Sequence, residues 1–202
     1  MDSDLVESIA ALKAALKSRG VKSAFGKLSP EVVRHLQQKL RVPRRYREFL
    51  AECDPLDLET TTPAERIHLI SGSRLEEEQI GFSLSEAKEP ITAPTPSGWR
   101  GAWVIIAHSS LLGDPYFLDT SKPDPEGDCP VYTAMSGTDT WQPKLCASSF
   151  ALFLRILAIG VEVAGGFDMD DYDVDNEQVF REALGPKIRE FDPAALKAGH
   201  WT

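Results

Sequence analysis

Apolar positions Leu5, Ile9, Leu12 and Leu16 recur at the three-to-four-residue spacing of one helix face. Asp4 followed by Glu7 reads as a capping box that opens this helix, and Gly20 suits its stop. A second helix is expected from Ser29-Pro30, a capping serine and a proline at the first helical position, carrying Val32, Val33, Leu36 and Leu40. Pro43 restarts the chain into "PRRYREFLAEC", where Tyr46, Phe49 and Leu50 form an apolar stripe.

The texture changes at residue 53. "DPLDLETTTPAER" reads as loop, "IHLI" as a short strand, and "SRLEEEQIGF" as a short helix with Leu75 and Ile80 inward. "SEAKEPITAPTPSG" holds Pro90, Pro94 and Pro96, which rule out a regular element throughout. Three strands are then predicted: "AWVIIA" (102–107), "PYFLDT" (115–120) and "CPVYTA" (129–134). Gly113-Asp114 and "SKPDPEGD" mark the turns between them, and short links favour antiparallel pairing. "SSFALFLRILAIG" reads as a helix capped by Ser148 or Ser149, with Phe150, Phe153, Leu154 and Leu157 on one face. Being apolar nearly all round, it is expected to lie buried against the sheet.

Composition narrows the class. The chain has 202 residues, 42% hydrophobic and 26% charged, enough for a sizeable core. No apolar run approaches the ~20 residues of a membrane span. The opening "MDSDLVESIAALKAALKSRG" has no basic segment and cleavage site of a secretory signal, so a cytoplasmic location is expected. Cys53, Cys129 and Cys146 are widely spaced and read as reduced thiols, with neither a disulfide framework nor a zinc site.

Charge is uneven: residues 1–50 carry a net of +6, and the remainder −15. The basic cluster "RVPRRYRE" is short, and the rest of the surface repels phosphate, which argues against nucleic-acid binding. An acidic protein suits a basic partner, although negative charge also simply keeps a domain dispersed.

Catalytic signatures are missing from the sequence. There is no G-x-S-x-G; "SGS" at 71–73 is turn chemistry. His35, His68, His108 and His200 make no H-x-x-x-H pair for a metal. "GWRGAW" lacks the lysine and helix of a phosphate loop. Trp99, Trp103 and Trp141 are read as core or rim packing. No cofactor is expected.

The stretch "DDYDVDNEQVFRE" (170–182) raises a sharper question. Asp171, Asp173, Asp175 and Glu182 stand at positions 1, 3, 5 and 12 of a calcium loop counted from Asp171. Position 6, where glycine makes the sharp turn, has Asn176, and position 8 has Gln178. The competing account is preferred: Asp175 caps a helix, Gln178 completes its capping box, and Val179, Phe180, Ala183 and Leu184 form its apolar face. Gly185-Pro186 then ends it. Phe167, Asp168, Asp170, Asp171, Tyr172, Asp173 and Asp175 interleave acid with apolar and aromatic side chains, so they form the candidate partner-binding surface. A second acidic cluster, Glu76 to Gln79, reads as a solvated helix face.

The order "VPRRYREFL", "GWRGAWVIIA", "GDPYFLDT", "CPVYTA" and "SSFALFLRIL" resembles the SUKH superfamily over about residues 43–157. That superfamily includes bacterial immunity proteins and relatives of a fungal cell-wall regulator. "ECDPLD" stands where its proline-led helix usually meets an Asn-Gly turn. Gly113, Asp114 and Asp119 match its turn motif; glycine gives the positive φ and aspartate an Asx turn. The resemblance implies an α+β domain with a single largely antiparallel sheet flanked by helices. Helical extensions are expected at both ends: an N-terminal portion 1–42, a core 43–160 and an acidic C-terminal extension 161–202, all one domain. It also implies binding rather than catalysis, with a toxin domain as the protein partner. The alternative is a regulatory or scaffold module that binds cellular proteins.

Overall fold

The computed structural model describes residues 1–21, 23–167 and 174–202. Helix α1 (Ser3–Ser18) is followed by α2 (Pro30–Leu40) and α3 (Arg44–Cys53). The cap of α1 is Asp2, whose carboxylate accepts from Leu5 N at 3.2 Å; the expected cap, Asp4, lies inside the first turn. Leu5, Ile9, Leu12 and Leu16 are buried as their spacing requires, and Gly20 has φ +66°. Ser29 caps α2 by accepting from Val32 N. Leu36 and Leu40 are buried, whereas Val32 is exposed.

Strands β3 (Leu58–Thr61), β4 (Arg66–Leu69), β5 (Trp103–Ser109), β6 (Pro115–Asp119), β7 (Val131–Thr133) and β8 (Lys144–Ala147) form a six-stranded sheet. Its spatial order is its chain order, and every pairing is antiparallel. The fold is α+β, as the patterning predicts. A separate two-stranded ribbon pairs β1 (Phe25–Gly26) with β2 (Asp54–Pro55). Residues 54–66, read from sequence as loop, thus hold β2 and β3. In β3, Leu58 and Thr60 are buried while Glu59 and Thr61 are half-buried, a period of two that four residues barely display. Thr62 closes the hairpin: its N–H donates to Glu65 O, and its hydroxyl accepts from Glu65 N, both at 2.9 Å.

The central strands lack alternation because both faces are covered. On one face Tyr116 of β6 meets Phe153 of helix α4 (Phe150–Val163), ring centroids 5.6 Å apart. On the other, Phe117 packs against Trp103 and Trp99 at 5.0 and 4.8 Å, with Trp141 beside Trp99. Ser149 is the cap of α4, accepting from Leu152 N at 3.2 Å. Helix α1 lies along α4, and Tyr46, Phe49 and Phe150 form an edge-to-face cluster that docks α3 there.

The segment "SRLEEEQIGF" does not make an α-helix. It forms turns and a single 3₁₀ turn (Glu77–Gln79): Leu75 is buried as expected, but the second buried member is Gln79, with Ile80 only half-buried. Gln79 Oε1 accepts from Ile105 N at 2.9 Å and from Ser83 Oγ at 3.0 Å. Its Nε2 donates to Ile105 O at 2.9 Å and Leu75 O at 3.0 Å. The β4–β5 pairing stops at Leu69–Ala107, so this amide serves as the next ladder partner for Ile105.

Helix α5 (Val174–Arg189) runs through Gly185-Pro186 instead of ending there. Phe180, Leu184 and Ile188 are buried at four-residue spacing. Burying such side chains stabilises by about 1.5–3 kcal/mol each, which outweighs the ~3 kcal/mol that proline costs a helix. Helix α6 (Pro193–Lys197) follows, capped by Asp192, which accepts from Ala195 N at 3.1 Å. Asp192 also takes Ser148 N and Oγ at 2.7 Å each, fastening α6 to the start of α4. Among the described residues no helix is long and apolar enough to cross a membrane.

Candidate functional site

The acidic stretch enters α5. Phe167 is half-buried and meets Phe180 edge-on, with centroids 5.8 Å apart. Asp168, Asp170, Asp171, Tyr172 and Asp173 lie outside the described residues. Asp175 is exposed in the first turn of α5, not its cap, since the helix already begins at Val174. Gln178 donates to Glu182 at 3.1 Å rather than closing a capping box, and Val179 and Ala183 point outward. Positions 4 to 12 of the calcium-loop count fall inside this helix, whereas a calcium loop wraps its ligands around the ion. No group of three or more potential metal ligands occurs among the described residues.

Between α5 and α6 lies an open groove of about 960 Å³. Gly185, Pro186, Pro193 and Leu196 supply its apolar part; Glu177 and Glu182 line it toward the start of α5, and Arg189 and Lys197 toward the helix ends. Acid in the first turn and base in the last suit the helix dipole. Arg181 donates to Glu177 at 2.8 Å and to His200 O at 2.8 Å, so it anchors the C-terminal residues to the groove wall. The groove was not legible in sequence, because it depends on α5 continuing past Pro186.

Behind Arg181 is a buried polar group. Tyr116 Oη and His200 Nε2 are 3.1 Å apart, and His200 Nε2 is 4.0 Å from Glu65 Oε1. Burial, then the Arg181 and Lys144 charges, push His200 down to about 3. Burial raises the Glu65 carboxyl, opposed by Arg181. Trp201 seals the group by donating to Cys146 O at 2.7 Å.

The turn motif behaves as two different devices. Gly113 has φ +72°, where only glycine is unstrained. Asp114 makes no local Asx turn. Its carboxylate accepts from Ser136 N at 2.7 Å, and Ser136 Oγ donates to Gly113 O at 2.9 Å. Asp119 does make one, accepting from Ser121 N at 3.2 Å. Burial raises its pKa, but the bonds from Ser121 and Lys122 outweigh that and leave it lowered. Glu76 and Glu78, expected on a solvated helix face, instead pair with His35 at 2.5 Å and Arg74 at 2.5 Å. All three cysteines are free and buried.

The family model described as "SMI1 / KNR4 family (SUKH-1)" matches residues 27–156. The match takes in α2, which the sequence resemblance left outside, and ends within α4; the α5–α6 groove lies beyond it. A search of curated proteins gave no match.

Proposed function

This chain belongs to the SMI1 / KNR4 family (SUKH-1), and from that premise we propose that it is a non-catalytic immunity protein of the cytoplasm, which neutralises a basic toxin domain by covering its active cleft. The observation that carries the reading is the acidic entry to α5. Six of the ten residues 168–177 are Asp or Glu, and the last of them, Glu177, lines a groove whose apolar part is Gly185, Pro186, Pro193 and Leu196. Carboxylates steer a basic partner and set its orientation. A groove that receives an apolar or aromatic anchor supplies the affinity.

The test is a pull-down from source cells with the full chain as bait, eluted with salt and identified by mass spectrometry. Recovery of one toxic C-terminal domain is expected, with loss of recovery for the Asp170→Ala, Asp171→Ala, Asp173→Ala triple variant. A set of ordinary cytoplasmic proteins would favour a regulatory module instead. A toxin that still kills cells expressing this chain would overturn the immunity reading.

A further inference from the structure

A second cleft shares no residue with the α5–α6 groove and has the opposite character. It has a volume of about 460 Å³ and lies between the end of α2, the proline-rich segment and the turn after β6. Lys39, Arg41 and Arg100 line it with the hydroxyls of Thr92, Thr120 and Ser121. No carboxylate lines it, in a chain with 31 Asp and Glu. Lys39 is partly engaged, donating to Lys88 O at 3.0 Å with Glu89 at 3.6 Å. Neither Arg41 nor Arg100 forms an ion pair among the described residues. Arg41 is the left-handed C-cap of α2, at φ 54°, with its N–H donating to Gln37 O. The Thr120 and Ser121 hydroxyls already donate to Ala102 O and Asp119, which leaves the cations as the cleft's donors. Two guanidiniums and an ammonium call for a ligand with at least two negative charges, and guanidinium geometry matches phosphate oxygens.

Arg100 also borders a neighbouring cleft of about 260 Å³, lined by Trp103, Tyr132, Trp141, Lys122 and Asp119. Arg100 lies over the Trp103 ring at 5.3 Å, and Lys122 over Tyr132 at 5.1 Å. Here aromatic surface stands beside cations and one carboxylate. Asp119 is buried and already taken by Ser121 and Lys122, and Trp103 is buried beneath Arg100. The pair of clefts therefore offers charge for phosphates on one side of Arg100 and, on the other, the half-buried Trp141 ring as a stacking surface.

We propose that these adjoining clefts bind a nucleoside phosphate, the phosphates between Arg41 and Arg100 and the base against Trp141. The glycine-rich phosphate loop missing from "GWRGAW" is replaced by cationic side chains from two separate segments. This site goes beyond the immunity reading and stands or falls separately from it.

Titration calorimetry and tryptophan fluorescence on the full chain test it, with ADP, adenosine and inorganic pyrophosphate at about 0.15 M salt. ADP should bind and alter the fluorescence, pyrophosphate should bind at least about tenfold more weakly, and adenosine should not bind measurably. Arg41→Gln and Arg100→Gln should each weaken ADP by about tenfold or more, while the far-UV spectrum and melting temperature of the unliganded protein stay unchanged. Arg41 is exposed, so its variant tests charge without disturbing the core. Trp141→Ala should lower ADP affinity and leave pyrophosphate unaffected. Absence of ADP binding, equal binding of ADP and pyrophosphate, or wild-type affinity in both arginine variants would overturn the proposal.

Discussion

Single buried polar residues decide much of this structure. Gln79 satisfies both backbone groups of Ile105 where β4 runs out. Gln79→Leu leaves those groups unpaired, and each buried orphan costs about 1–3 kcal/mol. A loss of about 2–5 kcal/mol is expected, seen as a lowered urea midpoint with unchanged slope. Asp128 is fully buried and accepts from Cys129, Phe150 and Ala151 N–H groups at 2.7, 2.8 and 3.1 Å, with Arg45 at 3.4 Å. Asp128→Ala would orphan the first amides of α4 and strand Arg45 with Asp2 alone. A destabilisation of about 3–5 kcal/mol is expected from the same measurement.

His200 sets a pH dependence. Its ordinary value of 6.5 falls to about 3 in the folded protein, so the folded state refuses a proton that the unfolded state takes. Its contribution is complete above pH 6.5 and is lost as pH falls toward 3. Glu65, raised by burial, acts in the opposite sense: its contribution is present at low pH and is lost as pH rises through its folded value. The groups facing them are Ser109 from β5, Asp114 before β6, Tyr116 from β6, Arg181 from α5, and Lys144 and Cys146 from β8. Wild-type stability should therefore fall more steeply between pH 6 and 4 than that of His200→Gln. The slope difference should not exceed about 1.4 kcal/mol per pH unit, read from denaturant melts across that range.

At the scale of elements, α5 shows packing overriding local preference. Gly185 sits within the helix without a positive φ, and a Cβ there would meet Leu196 Cδ1 at 3.5 Å, an ordinary contact. Gly185→Ala should therefore stabilise the protein by about 0.5–1 kcal/mol, seen as a rise in melting temperature. The same substitution narrows the α5–α6 groove, so weaker capture of the partner by this more stable variant would favour the groove as the docking surface. Hairpin β3–β4 shows the same override, since "LETT" pairs only because β4 offers it an edge.

Across the whole molecule the charge is negative, but its arrangement is the informative part. Long-range steering by the acidic run predicts a partner association rate that drops steeply between about 50 and 500 mM salt, measured by stopped flow. Phosphate binding in the cleft of Arg41 and Arg100 would weaken with salt as well, yet it would be untouched by alanine at Asp170, Asp171 and Asp173.

The sequence by itself determined helices α1 to α4, strands β4 to β7, the α+β class and the family. These elements carry strong local signals: apolar spacing, Ser29 and Ser149 as caps, proline starts and glycine turns, each acting within a few residues of itself. Tertiary structure alone decided that Gln79 would complete the sheet, that α5 would pass through Pro186, and that Asp114 would tie to Ser136 rather than cap its own turn. It also brought Arg41, near the start of the family segment, and Arg100, near its middle, to one cleft. Such outcomes depend on what a distant segment offers, a backbone amide to pair, an apolar face to bury, or a missing counter-charge, and no local window of sequence contains that information.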